Sequence, residues 1–270
     1  MKDIFKFSEQ PEFENPSLIV GWNKDAGRLS PRVIEYLNEK IKSKSFCEIE
    51  PAGFSSLAGV QIENDIAQFP ESKFYYSDRE DLLIFKGSEP RFEQRKFLDA
   101  ILDVAEGYCK IKELYTISGT ISAISHTGLR EISAVFNQSA FKKELSGFGL
   151  KYMTWQGPPA ISSHLLWTAQ KRGIPGVSLW PEIPFYLAAG KDFQAVKLTL
   201  SFLDKKLNLG LDFTELDEEI RNQNIKIDRL RQEDVEINKC MGMLESKLSL
   251  SEEEQIELTR KVTELLERRD

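Results

Sequence analysis

The sequence is poor in cysteine, with Cys47, Cys109 and Cys240 far apart in 270 residues. It contains no CxxC pair and no cluster of cysteine with histidine, which excludes a typical structural zinc site and a secreted disulfide framework. A chain of this length buries enough surface to form a core without either. We therefore expect a protein of a reducing cytoplasm, with no metal and no cofactor.

Long apolar runs are also missing. Residues 1–13 lack the apolar centre of a signal peptide, and no run of about eighteen apolar residues is available to span a bilayer. The formal charge of −7 resides in residues 212–270, which contain 17 acidic and 10 basic residues. Nucleic acid and anionic lipid both require clustered Lys and Arg. We therefore expect neither nucleic acid nor a membrane as a partner.

The sequence contains no common nucleotide-binding or hydrolase motif. Gly21 and Gly27 are separated by five residues and followed by Arg28, whereas a P-loop has four residues between its glycines and then Lys-Ser or Lys-Thr. Neither GxGxxG nor GxSxG occurs. A tight turn that needs glycine at positive φ explains residues 21–27 better than phosphate binding does. The turn nevertheless follows a predicted strand, where open α/β sheets bind ligands, so Trp22, Lys24 and Asp25 remain candidates with the two glycines.

Two other regions supply candidate residues. His126 follows a predicted strand and is a candidate general base, although no nucleophile can be paired with it from the sequence. Residues 179–187 place two prolines around Glu182 beside three aromatic residues, which is typical of a contact surface or cleft floor and equally of a packed connection. The candidate ligand or partner surface therefore also includes Gly119, His126, Gly157, Pro158, Glu182 and Pro184.

Residues 1–211 alternate strand-like and helix-like segments, which predicts a layered α/β domain with helices on both faces of a sheet. The clearest start is a buried strand at 17–22, followed by a helix that has Ser30 as its cap and Pro31 in its first turn. The other predicted strands are 46–50, 73–76, 81–86, 113–118, 131–136 and 173–179. The other predicted helices are 90–111, 140–145, 160–171 and 193–207.

Residues 212–270 change to a helical period. Apolar residues recur at steps of three and four, with Gln223 and Asp234 filling two polar gaps in a five-heptad seam. Ser251 and Glu254 fit a capping box that starts a last helix at about 252–268. We expect a helical hairpin lying on its own body or an intermolecular coiled coil. The predicted oligomerisation residues are Phe213, Leu216, Ile220, Ile227, Leu230, Ile237, Met241, Leu244 and Leu248.

The order of several fragments resembles that of the proteasome assembly chaperones, second branch, with their bacterial and archaeal relatives. The most specific fragments are Gln156-Gly-Pro-Pro-Ala, Arg172-Gly-Ile-Pro and Pro181-Glu-Ile-Pro, and the resemblance covers about residues 15–235. It also includes Leu18-Ile-Val-Gly-Trp, Asp81-Leu-Leu-Ile-Phe-Lys-Gly and Gly119 with His126-Thr127. The resemblance implies a three-layer α/β/α sandwich with a phosphorylase-like mixed sheet and a C-terminal helical appendage. It further implies oligomers, often trimers or tetramers, and no established enzymatic activity.

These features lead to competing hypotheses about function. The first hypothesis is a non-enzymatic, chaperone-like or scaffolding protein. It would form a homo-oligomer, with a trimer among the candidate states, and would also bind an unidentified protein partner. The alternative is a small-molecule enzyme, phosphorylase- or hydrolase-like, with a site near Lys24, Asp25, Gly119, His126 and Glu182. A third is a helical oligomerisation device on an inert body. A pocket that joins those polar groups would favour the enzyme, and exposed apolar surface would favour the scaffold.

Overall fold

A computed structural model describes residues 4–51, 53–55, 61–63, 65–68, 70–77, 79–154, 156–157 and 160–267. The strands are β1 (Phe5–Phe7), β2 (Ser17–Trp22), β3 (Lys44–Ile49), β4 (Gln61–Glu63), β5 (Ile66–Gln68), β6 (Ser72–Ser77), β7 (Leu82–Gly87), β8 (Glu113–Ile117), β9 (Thr120–Ser122), β10 (Ile132–Phe136), β11 (Lys151–Tyr152) and β12 (Gly176–Pro184). The α-helices are α1 (Leu29–Lys40), α2 (Gln94–Leu102), α3 (Ser139–Glu144), α4 (Ile161–Lys171), α5 (Phe193–Leu207), α6 (Thr214–Glu233), α7 (Val235–Glu245) and α8 (Glu252–Glu267).

The main sheet is mixed, as the family resemblance implied. Its strand order is β1-β3-β6-β7-β2-β8-β12-β10-β11, with β9 paired to the end of β12. The central strands β7, β2, β8 and β12 are parallel to their neighbours in that group, and antiparallel pairs flank them. The central strands are buried on both faces, which explains their continuous apolar sequences. β4 and β5 form a separate two-stranded sheet.

Helices cover both faces of the sheet, which confirms the predicted three-layer α/β/α sandwich. Ile19 of β2 belongs to an apolar cluster that includes residues of α1 and α5. Its neighbours Leu18 and Val20 point to the opposite face and join a second cluster with residues of α2 and α4. The sheet therefore separates two cores.

The predicted helix at 90–111 begins later and changes type. Glu93 has a left-handed backbone, φ 50°, and α2 begins immediately after it. From Asp103 to Tyr108 the chain continues as a wider π-helical turn. The sequence prediction missed this change because the apolar spacing continues through both segments. It also missed β1, β4, β5, β9 and β11, which contain two or three residues each and are too short to show a period.

The C-terminal segment forms three helices where the seam suggested one long helix and a final one. Asp234 has an extended backbone and its side chain accepts hydrogen bonds from the N–H groups of Glu236 and Ile237, so it ends α6 and caps α7. The predicted capping box is confirmed, because Ser251 N–H donates to Glu254 and Glu254 N–H donates to Ser251 Oγ.

Most of the seam packs within the chain itself. Five seam residues are buried in the cluster that includes α1 and α5, namely Leu216, Ile227, Ile237, Met241 and Leu244. Phe213, Ile220 and Leu230 are half-buried against the same cluster, and Leu248 is exposed. The helices thus lie on their own body. None of the helices described is long and apolar enough to cross a membrane.

Candidate functional site

The carboxyl ends of the parallel strands β7, β2, β8 and β12 meet at one edge of the sheet, where the sequence placed the candidate site. Trp22 ends β2, and its indole N–H donates to Ser162 Oγ of α4 at 3.1 Å. Ser118, after β8, lies with its Oγ 3.2 Å from the same Ser162 oxygen. Trp22 is buried, so its side chain is not at the surface where a partner would meet it. A central strand with helices on both faces leaves that side chain no path to solvent.

Asp25 joins the loops that follow β2 and β8. Its Oδ1 accepts from the N–H of Ala26 at 2.9 Å and of Gly119 at 3.0 Å, and its Oδ2 accepts from the N–H of Ser30 at 3.3 Å. Burial raises the pKa of this carboxyl to about 6, although the backbone donors favour the charged form, and nearby Glu89 adds to the rise. Both oxygens are therefore engaged inside the chain. Lys24, beside it, is exposed.

Two of the candidate glycines are explained by close packing. A Cβ atom on Gly21 would lie 2.4 Å from Ile34 Cγ1, because α1 crosses directly over β2 at this point. A Cβ atom on Gly119 would lie 2.2 Å from Ile183 Cδ1 of β12. Residues 21–27 thus form a tight strand-to-helix connection, as the turn interpretation expected. In this connection Gly27 has φ 62°.

His126 lies in a buried network away from Asp25. Its backbone N–H donates to the hydroxyl of Tyr186 at 2.7 Å, and its Nδ1 lies 3.0 Å from the same oxygen. Burial lowers the pKa of His126 to about 4, so the ring is neutral at neutral pH. Arg130 donates to the His126 carbonyl at 3.0 Å and forms a buried ion pair with Asp192, which caps α5 through the N–H of Ala195. Within the described residues His126 Nε2 has no hydrogen-bond partner.

Glu182 makes a third, separate set of contacts. Its Oε1 accepts from Ser122 Oγ of β9 and its Oε2 accepts from the N–H of Glu131, each at 3.2 Å. It therefore fastens β9 and the residues before β10 to the end of β12. Pro184 is buried and Gly157 is exposed. Pro158 lies outside the described residues.

The structure brings together some of the predicted residues. Asp25 and Gly119 are in direct contact, whereas His126 and Glu182 hydrogen-bond to other partners. Among the described residues no three His, Cys, Asp or Glu side chains are grouped to hold a metal ion. The candidate polar residues at this edge of the sheet therefore chiefly form hydrogen bonds within the chain.

Sequence reasoning missed the exposed apolar residues at this end of the sheet. Ile121 of β9 is paired with Ile183 of β12 and its side chain is 58% exposed. Leu129, in the connection to β10, is fully exposed. We call Ile121 and Leu129 the tip surface. Ile121 lies in β9 and Leu129 lies just before β10, and Glu182 of β12 forms a hydrogen bond with each of these two segments. In the sequence, each of these two residues is an apolar residue within a short, mostly polar segment. That pattern is too weak to distinguish a contact residue from a chance occurrence.

Comparison with known proteins gives a family match over most of the chain. The model of the PAC2 family matches residues 18–231. A Mycobacterium tuberculosis protein of unknown function has the same fold, with a TM-score of 0.79 and 18% identity over 92% of this chain and 89% of that chain. The archaeal proteasome activator PbaB of Pyrococcus furiosus gives 0.69 and 21%, covering 84% and 97%. A proteasome-assembly chaperone homologue of Mycobacterium tuberculosis gives 0.71 and 17%, covering 81% and 96%. No curated protein matches the sequence.

Proposed function

The chain belongs to the PAC2 family, and from that premise we propose that it is a non-enzymatic interaction protein with a chaperone-like or scaffolding role that also associates with itself. The observation that carries this proposal is the family match, together with a fold shared with a proteasome activator and a proteasome-assembly chaperone homologue. By this proposal the chain acts through protein contacts, and a subunit of a larger protein assembly is the class of partner.

The polar groups at the carboxyl edge of the sheet support this role. A catalytic group must reach its substrate, yet Asp25, His126 and Glu182 are each engaged in bonds that hold neighbouring loops. These bonds make the loops at that edge rigid. A rigid edge presents the tip surface, Ile121 and Leu129, in one arrangement, which lowers the entropic cost of binding a partner.

The tip surface is the proposed contact with a protein partner. Leu129 is fully exposed and Ile121 more than half exposed, and burying an apolar side chain of this size against a partner contributes about 1.5–3 kcal/mol. Single exposed apolar residues are common. In this chain Ile121 and Leu129 lie on two segments that both hydrogen-bond to Glu182. This shared anchoring makes the pair a more specific feature than a single exposed apolar residue.

Self-association is proposed for the C-terminal helices. The seam residues other than Leu248 are buried or half-buried within the chain, so a contact between copies would use the apolar side chains that remain outside. These are Leu248, Val235 and Ile256, which are 57%, 81% and 62% exposed. A trimer is among the states that such a contact could form.

Site-specific photo-crosslinking tests the partner surface. A benzoylphenylalanine placed at Leu129 in the living cell should give a discrete adduct with one protein after irradiation. The matched control carries the same group at Tyr108, an exposed aromatic residue that follows α2, at the end of the π-helical turn. We expect no corresponding adduct there. Identical adduct patterns at the two positions, or no protein adduct at Leu129, would contradict the proposal.

A further inference from the structure

A cavity lies where part of the body and the C-terminal helices face each other. It lies between α6, α8 and the segment that joins β12 to α5, and it has a volume of about 720 Å³. That size is within the range of sites for small organic ligands, roughly 300–1,000 Å³. The wall is apolar where Leu187 and Phe193 of the body face Ile225 of α6 and Leu266 of α8. Ile225 is 42% exposed, so the apolar wall is open to solvent.

The rim of the cavity is positively charged although the chain as a whole is acidic. Among the described residues, four basic residues line it, Arg28, Lys191, Lys226 and Arg229, against the two acidic residues Glu219 and Glu267. Over the described ranges, the side chains of Arg28, Lys191 and Arg229 have no ion pair or hydrogen bond with another residue. Elsewhere Lys40 of α1, Arg231 and Lys261 each pair with a carboxylate of α6, α7 or the turn between them, which Arg28, Lys191 and Arg229 do not.

One wall of the cavity, the segment at 188–192, is fixed by hydrogen bonds to two neighbouring elements. Gly27 N–H donates to the carbonyl of Ala188 at 2.8 Å, and Asp192 N–H donates to the carbonyl of Gly27 at 3.1 Å. In the same segment, the carbonyl of Lys191 accepts a hydrogen bond from the side-chain Nε2 of Gln223 of α6 at 2.7 Å. These bonds fix the segment at 188–192 against the Gly27 turn and against α6, and a preformed wall of this kind is typical of ligand sites.

Arg28 provides a second observation at the rim. Its backbone is left-handed, with φ 47°, a conformation that costs free energy for any residue but glycine. Such strained positions tend to be retained where the direction of a side chain matters. Here the strained turn directs a basic side chain to the cavity.

We propose that this cavity binds a small organic anion, with an aromatic or aliphatic body against Phe193 and Ile225 and its charged group between Lys191 and Arg229. The apolar wall favours a ligand with an apolar part, and Lys191 and Arg229, which have no ion pair with another described residue, favour a negative charge. The ligand would contact both the body and the C-terminal helices. This site is independent of the tip surface and of the proposed scaffolding role.

The test uses a pair of fluorescent probes that differ in charge. Anilinonaphthalene sulfonate is an aromatic anion, and phenylnaphthylamine is a neutral molecule of similar shape. The full-length folded protein should bind the anion at one saturable site. The double variant Lys191→Gln/Arg229→Gln should weaken that binding several-fold, and by up to about 25-fold, since each exposed charge contributes up to about fivefold. Its affinity for the neutral probe should change less than about twofold.

Two further variants complete the test. Lys96→Gln removes an exposed lysine of α2, far along the chain from the cavity, and should leave both affinities unchanged. Ile225→Ser should weaken both probes, because it removes part of the apolar wall. All variants should retain the unfolding midpoint of the parent, since the substituted side chains are exposed or at the rim. Equal anion affinity in Lys191→Gln/Arg229→Gln and the parent, or binding at many equivalent weak sites, would overturn the proposal.

Discussion

Half-buried Asp25 and buried His126 have opposite effects on the pH dependence of stability. The folded-state pKa of Asp25 is raised to about 6, so its contribution to the free energy of unfolding is greatest at low pH and is lost as the pH rises toward 6. The folded-state pKa of His126 is lowered to about 4, so its contribution is present above the ordinary histidine value and is lost as the pH falls. The two effects partly cancel in the parent protein between pH 4 and 6.

The variant His126→Asn isolates the histidine contribution. Asn retains an acceptor near the position of Nδ1 for the Tyr186 hydroxyl but does not titrate. The free energy of unfolding of the parent, relative to this variant, should fall by up to about 3 kcal/mol between pH 7 and pH 4. Urea unfolding of both proteins at several pH values measures it. Both proteins contain Asp25, so its contribution cancels in the difference between their free energies of unfolding. If that difference did not change with pH, His126 would not be held neutral in the fold.

At this scale the sequence identified the residues but not their contacts. Asp25, Gly119 and His126 were candidates because of their position after predicted strands, and they do lie there. The sequence could not show that Asp25 would accept three backbone N–H groups or that Tyr186 would face His126, because both contacts join segments distant in the chain. Ile121 and Leu129 carried no chemical signal at all.

Asp234 decides the arrangement of the C-terminal helices. Its Oδ1 caps α7 and its other oxygen forms an ion pair with Lys261 of α8, so one side chain joins two helices. Arg231 and Glu245 form a second ion pair, between α6 and α7, with 2.6 Å between Nη1 and Oε1. The turn between α6 and α7 is therefore fixed by polar contacts as well as by the apolar cluster.

Replacing Asp234 with Ala should lower the free energy of unfolding by about 1–2 kcal/mol, because the cap and the ion pair are lost together. Asp234→Asn keeps a capping oxygen and removes the charge, so it should cost about half as much or less. Thermal unfolding followed by circular dichroism compares them. Equal effects of the two substitutions would show that the charge, and not the cap, holds the turn.

Elements with a strong period were predictable and short ones were not. The strand at 17–22 was expected at its observed bounds, since a buried apolar run is a clear signal. The helix after it was predicted with Ser30 as its cap, and this was wrong. The helix α1 begins at Leu29, so Ser30 lies in its first turn, where its Oγ accepts a hydrogen bond from the N–H of Trp22. The seam correctly indicated which faces of the C-terminal helices are buried. It did not reveal the break at Asp234, because a single polar residue in a seam is compatible with a continuous helix.

The whole molecule is a PAC2-family sandwich with three C-terminal helices packed on one face. The resemblance drawn from the order of fragments is confirmed by the family match, which covers residues 18–231. The match ends near the close of α6, so α7 and α8 lie beyond it. A heptad seam specifies burial without specifying the partner, and in this chain the body itself covers most of it.

We expect the exposed apolar residues of this C-terminal region, Val235, Leu248 and Ile256, to form the contact between copies. Sedimentation velocity on the full-length protein over a range of concentrations tests this most directly, beside the triple variant Val235→Ser/Leu248→Ser/Ile256→Ser. A matched variant, Phe92→Ser/Trp167→Ser, removes exposed apolar residues from the body.

The parent and the body variant should sediment as the same oligomer, and the triple variant should sediment as a monomer with unchanged circular dichroism. A parent protein that stays monomeric at every concentration would contradict self-association, and an oligomer unaffected by the triple variant would contradict its assignment to the C-terminal helices.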